Sequence, residues 1–256
     1  MGGTAAAALR LGLALTLAAG LPGCAAFDFA SLHRGGASSA SASPARLERA
    51  RSKAVEAAEK AVARHRDDSA ARAALGQAYL AAGRPASAVG AFGDALALGD
   101  VSPASIVGLS LGRIALGDRE AAVRLLDEWQ ATVPAVDRGL ALALAGDTAR
   151  GVDVLAAALR QGEGGSQLRQ NLAYAYALDG RWREAAVMAA QDLPPLRAQA
   201  RIEEWALLAR PDALNRRVGY VLGVPLQADP GYPAALALAP AETGARSEEL
   251  AAAPAP

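Results

Sequence analysis

An all-α solenoid of helical hairpins is the fold class that the sequence predicts, and three observations predict it. Glycines recur at Gly83, Gly117, Gly146 and Gly180, at steps of 34, 29 and 34 residues. A small residue stands five positions after each of them: Ala88, Ala122, Gly151 and Ala185. Period-2 runs of Val and Ile are missing, so little or no sheet is expected. The corner between two antiparallel helices needs a left-handed residue, and glycine takes that conformation without a Cβ penalty. Small residues at the crossing let the two backbones approach. A single hairpin cannot bury its apolar face alone, so neighbours must stack.

Composition agrees. Hydrophobic residues make up 52% of the chain but aromatics only 4%, so the core is built from Ala and Leu, which suits close-packed helices. The 256 residues allow one or two domains. The 26 basic and 26 acidic residues cancel, which argues against nucleic-acid binding, since that normally needs a basic surplus.

Residues 1–23 read as a secretory signal, with Arg10 the only charge before the 11-residue apolar run Leu11 to Leu21. That run is short of the roughly 20 apolar residues a membrane span needs. It ends at Leu21-Pro22-Gly23-Cys24, which resembles the bacterial lipobox, in which the cysteine is lipidated and becomes the mature N-terminus. Cys24 is the only cysteine, so no internal disulfide is open to it. Ala25 follows it, where an aspartate would imply retention at the inner membrane, so the resemblance implies the outer membrane. Residues 24–44 are rich in Ser, Ala and Gly and read as a flexible tether, about 25 Å long in root-mean-square terms. Phe27 and Phe29 interrupt it, and a place in the lipid interface and an incidental one are equally open to them.

Residues 45–68 hold a capping helix with an apolar stripe through Leu47, Ala54, Val55, Ala58, Ala61 and Val62. Ala54 and Ala61 stand 34 residues before Ala88 and Ala95, as in the second helix of a hairpin whose first helix is missing. The repeats then fill residues 69–193. In the first, Leu75, Gly76 and Tyr79 precede Gly83, and Ala88, Phe92 and Ala95 follow it. These intervals resemble the tetratricopeptide repeat, which runs W-x2-L-G-x2-Y, then A-x3-F-x2-A, then P over about 34 residues. Arg72 stands in the Trp slot and Asp100 in the Pro slot. The second repeat ends near Pro134, the third is compressed by five residues, and the fourth restores Leu172, Ala173 and Tyr176 ahead of Gly180. Pro194-Pro195 stops the series. Residues 194–211 predict a terminal helix with Ile202, Trp205 and Leu208 on one face, and Pro211 ends it. Residues 212–256 carry apolar runs broken by Gly and Pro and are expected to be extended, then disordered.

Catalytic chemistry finds no support. His33 and His65 have no second His or Cys near them in sequence, as a metal site would require. Glu203 and Glu204 are neighbours on a helix and point apart. Gly162-Glu163-Gly164-Gly165 lacks the Lys-Ser/Thr of a phosphate loop. Trp129, Trp182 and Trp205 read as packing residues. No cofactor, metal or small-molecule substrate is expected.

A binding surface remains. In tetratricopeptide folds the first helix of each pair lines a concave groove. Carried onto this chain, that resemblance implies a groove along Gln77, Leu80, Val107, Leu111, Ile114, Leu140, Gln170, Asn171 and Tyr174. The set is mainly apolar, as suits an amphipathic helix or an extended peptide. The alternative is that the chain's own tail, around Tyr220 to Leu226, fills the groove.

Lipobox, tether, about four such repeats and a tail together resemble the TadD family, the lipoproteins of tight-adherence (Flp) pilus assembly. Asn171 to Pro194, the segment IEEWALLA at 202–209 and the segment LGVPLQADPGYPAALAL at 222–238 carry that likeness. It implies a periplasm-facing, outer-membrane scaffold that binds secretin or other pilus-assembly subunits. Three alternatives stay open: a pilotin-like lipoprotein of another envelope assembly, a regulator of a cell-wall enzyme, and an enzyme in its own right, for which the sequence offers no candidate set of residues.

Overall fold

The computed structural model describes residues 43–238. The leader, Cys24, nearly all of the tether and the end of the tail lie outside the described residues. Within them the chain is helical without strands, as the glycine spacing predicts. The helices are α1 (Pro44–Arg64), α2 (Ser69–Ala81), α3 (Pro85–Ala97), α4 (Pro103–Ala115), α5 (Arg119–Glu128), α6 (Ala135–Ala145), α7 (Thr148–Arg160), α8 (Ser166–Leu178), α9 (Trp182–Ala189), α10 (Pro195–Leu208) and α11 (Leu214–Leu222). The pairs α2–α3, α4–α5, α6–α7 and α8–α9 pack as hairpins, each pair stacks on the next, and α1 packs on α2.

Residue chemistry sets the ends of these helices. Pro opens α1, α3, α4 and α10, where its missing N–H costs no hydrogen bond. Asp68 accepts from the backbone N–H of Ala70 and Ala71 at the start of α2, and Asp118 accepts from Ala121 at the start of α5. Ser102 caps α4 by accepting from Ser105 N–H, and Asp100, the acid in the Pro slot, braces that cap by accepting from Ser102 N–H and from the Ser105 hydroxyl. Gly83, Gly117, Gly146 and Gly180 all have positive φ, between 71° and 96°.

The crossings are as tight as the small residues imply. Ala88, Ala122 and Ala185 are fully buried. In the third hairpin the backbones come closer still: a Cβ on Gly151 would lie 2.6 Å from the Gly139 carbonyl oxygen, and one on Gly139 would lie 2.5 Å from Leu155. Phe92 packs across two helices, its ring filling the space that a Cβ on Gly76 or Gly108 would take. Leu75, Tyr79, Leu80, Ile106, Leu111, Ile114 and Leu140 complete a core that runs through the stack.

One expectation is corrected. Residues 214–222 form a helix, α11, where an extended segment is expected. Val218, Val221 and Leu222 make one buried face, and Gly223 ends the helix with φ 64°. Burial of that stripe outweighs the poor helix propensity of Gly219. From Gly223 to Leu238 the chain is irregular and largely extended, with a turn near Ala234.

Candidate binding surface

After α10 the chain turns at Pro211 and runs back along the solenoid. α11 packs on α4 and α6, the first helices of the second and third hairpins. Tyr220 of α11 meets Tyr174 of α8 with ring centroids 5.5 Å apart and planes inclined at 56°, and Trp205 of α10 meets the same Tyr174 at 5.3 Å. The Tyr220 oxygen accepts from Arg201 at 2.6 Å and from the Trp205 indole N–H at 3.2 Å. Burial pushes the Tyr220 and Tyr174 hydroxyls above the usual phenol range. Arg217 on the same helix donates to the carbonyls of Leu208, Ala209 and Arg210, satisfying the open end of α10.

The segment then crosses the first hairpin. Gln227 N–H donates to the Gly83 carbonyl at 2.8 Å. Gly83 serves both the corner and this crossing: a Cβ there would lie 2.3 Å from the Pro225 oxygen. Next the segment follows α3 along Ser87, Gly90 and Asp94, residues on one helical face. Asp229 accepts from Ser87 N–H at 2.7 Å, from the Ser87 hydroxyl at 2.6 Å and from Gly231 N–H at 3.1 Å, with Arg84 at 3.5 Å. Burial opposes the charge of Asp229, yet the hydrogen bonds from Ser87 and Gly231 hold its carboxyl below the usual range. The Tyr232 side chain lies against Gly90, where a Cβ would come 2.5 Å from the Tyr232 Cβ and 2.6 Å from its ring.

Arg72 is the centre of this contact. It is 1% exposed. It ion-pairs with Asp94 and donates to the Arg66 carbonyl at 2.8 Å, the Tyr232 hydroxyl at 2.9 Å and the Leu236 carbonyl at 2.8 Å. Leu238 N–H donates to the same Asp94 carboxylate. The departure from the repeat pattern at the Trp slot therefore has a structural use: a guanidinium replaces an indole and grips the returning chain. Burial, set against the neighbouring Arg72 charge, pushes the Tyr232 hydroxyl up to about 12. Tyr79 sits edge-on to Tyr232 and donates to Glu59 of α1, while Arg51 of α1 reaches the Gly223 carbonyl. The C-terminal segment thus touches both α1 and the first hairpin.

The nine residues expected along an open groove are placed as follows. Leu80, Val107, Leu111, Ile114, Leu140, Asn171 and Tyr174 are buried, and Gln77 and Gln170 are half-buried. An open groove along them is corrected, because α11 and the aromatic contacts at Tyr174 cover the face and the stacked helices bury the rest. Asn171 donates to the Val136 carbonyl and so ties α8 to α6. Its side-chain oxygen and the Tyr174 hydroxyl find no hydrogen-bond partner among the described residues.

Ser87, Gly90, Asp94 and Asp229 were not among the residues singled out by sequence, and Arg72 was noted only as a departure in the Trp slot. Two signals pointed to them: a charged residue in an apolar slot of the repeat, and glycines inside a helix where nothing local needs them. Of the tryptophans, Trp205 is buried, Trp129 half-buried and Trp182 partly exposed. Among the described residues, no group of three or more His, Cys, Asp or Glu is placed to hold a metal ion, and no helix is long and apolar enough to cross a membrane. Comparison of the chain with protein-family models, with curated proteins and with solved structures finds no match.

Proposed function

We propose that this protein is a non-catalytic, lipid-anchored scaffold of the bacterial envelope that holds protein partners during assembly of a tight-adherence pilus or its secretin. One observation carries the binding half of this reading. The helical solenoid already holds an irregular stretch of polypeptide, residues 223–238, through main-chain and side-chain contacts on α2 and α3. A surface that reads carbonyls with Arg72 and backbone N–H groups with Asp94 and Gly83 uses the chemistry of peptide recognition. The envelope half rests on the leader and on the likeness of Leu21 to Cys24 to a lipobox. The acyl chains on Cys24 would confine the search for partners to the membrane surface. The pilus assignment rests on the likeness of residues 171–194, 202–209 and 222–238 to the TadD family.

Crosslinking in native membranes, followed by purification of wild type and of Cys24→Ser, tests all three parts. Recovery of secretin or pilus-platform subunits with wild type, and their loss with the variant, is the expected result. Recovery of cell-wall enzymes in their place would overturn the pilus assignment. A variant that fractionates with the membrane like wild type would overturn the anchor.

A further inference from the structure

We infer that the outer face of α10 is a self-association surface, on which a second copy of this chain packs its own α10 antiparallel about a two-fold axis. Every other helix that opens a hairpin has the next helix packed along it: α3 on α2, α5 on α4, α7 on α6 and α9 on α8. α10 stacks on α8 and α9 as the next opening helix would, but the chain then leaves for α4 and α6, and α11 meets α10 through Tyr220 and Arg217, away from Leu196 and Leu207, which stay exposed. The face that a hairpin partner would cover stays bare.

That face is apolar at helical spacing. Leu196 is 83% exposed and Leu207 60% exposed. With Ala200 between them they fall on one stripe, at i, i+4 and i+11. Of the six large hydrophobic side chains exposed among the described residues, four lie on α9 and α10: Trp182, Val187, Leu196 and Leu207. A solenoid end normally carries a polar outer face, so this concentration marks an end that is to be covered.

Charge selects the occupant. A shallow groove beside the stripe is lined by Leu193, Ala200 and Leu207 together with Arg197, Arg201 and Glu204. Arg197 stands in the N-terminal half of the helix and Glu204 in the C-terminal half, where it also pairs with Arg201 of its own helix at 3.6 Å. An antiparallel copy sets Leu196 against Leu207 of the other chain. Arg197 then falls within two residues, about 3 Å of rise, of the level of Glu204 on the other chain. The same patch is therefore complementary to itself, as a two-fold interface requires. A membrane surface would match the leucines but not the alternation of charge.

The test is the mass of the full chain in solution, in a Cys24→Ser background so that no acyl chain drives association. Sedimentation should show a monomer–dimer equilibrium. Leu196→Glu with Leu207→Glu should raise its dissociation constant about a hundredfold or more at unchanged helical circular dichroism. Arg197→Glu alone and Glu204→Arg alone should each weaken it, and the two together should restore it. A wild-type chain that stays monomeric at high concentration overturns the inference. So does a dimer indifferent to the leucine changes, or a charge swap that fails to restore it. A monomer that floats with phospholipid vesicles through Leu196 and Leu207 overturns it in favour of a lipid surface.

Discussion

At one end of the solenoid, α2 and α3 are sealed by the returning chain, and the seal is polar at two points: Arg72 and Asp94 hold Tyr232, Leu236 and Leu238, and Ser87 of α3 holds Asp229. At the other end, α9 and α10 are left with Trp182, Val187, Leu196 and Leu207 in solvent. Both ends begin from the same hairpin unit. The difference shows how a repeat chain spends its last residues: one segment cannot cover both ends, and the sequence sends it to the far one. The covered end should behave as the structural core of the molecule, and the bare end as a surface whose substitutions leave stability almost unchanged.

The strongest way to break this contrast is at Arg72. Arg72→Met keeps most of the volume but removes the guanidinium from Asp94, the Tyr232 hydroxyl and two carbonyls, while Leu238 N–H still donates to Asp94 and the Tyr232 hydroxyl to the Leu236 carbonyl. A buried ion pair broken on one side typically costs about 3–5 kcal/mol, and denaturant unfolding should show a loss of that order. At a concentration where the chain is monomeric, Arg197→Met on the bare end should leave the midpoint of the same curve in place. If both variants unfold alike, the polar seal does not hold the first hairpin.

Asp229→Asn is expected to cost less, about 1–3 kcal/mol: its one amide oxygen can still accept from Ser87 N–H or from Gly231 N–H, but not from both, since these donate to different carboxylate oxygens. It also carries the pH dependence. The folded carboxyl is held below its ordinary value, so its contribution is present above about pH 4, the unfolded value. It is lost as pH falls through the lower folded value. Acid titration should therefore loosen residues 223–238, and Asp229→Asn should remove that part of the acid response. The same linkage has the opposite sense for Tyr232. Its raised value means stability is present below about pH 10 and is lost as pH rises through about 12.

Two glycines of α3 sharpen the comparison at the smallest scale. Gly90→Ala would force Tyr232 off the helix, and overpacking of this kind costs about 1–3 kcal/mol. Gly93, one turn further, faces open space. Gly93→Ala should stabilise by up to about 1 kcal/mol through helix propensity alone. Opposite signs three residues apart in thermal unfolding would place the returning chain on the Gly90 side of α3. Equal signs would remove it from there.

The hairpins were legible because their constraints are local. A positive φ at Gly83 or Gly146 and a buried Ala88 are demanded by the turn and the crossing beside them, so they leave marks at fixed spacing. α10 was legible for the same reason, with Pro195 at its start and Trp205 and Leu208 on its buried face. α11 was not, because Gly219 inside it and Leu214 at its start give no cap signal, and its helicity comes from packing on α4 and α6. The clasp was not legible either. Arg72 and Leu236 are 164 residues apart, and no spacing rule reaches that far. The misfit residues recorded it indirectly: Arg72 in the Trp slot, Gly90 inside a helix, and the turn sequence Asp229-Pro230-Gly231 placing its carboxylate over Ser87.

The account turns on the C-terminal segment being bound in cis across Gly83 and α3. Amide hydrogen exchange of the full chain at Gln227 and Leu238 tests this most directly, since their N–H groups donate to the Gly83 carbonyl and the Asp94 carboxylate. Protection well above the unfolded-chain rate in wild type, lost at both amides in Arg72→Met while α8 and α9 stay protected, is the predicted result. Exchange of both amides at the unfolded-chain rate in wild type would contradict it, and would leave the first hairpin open.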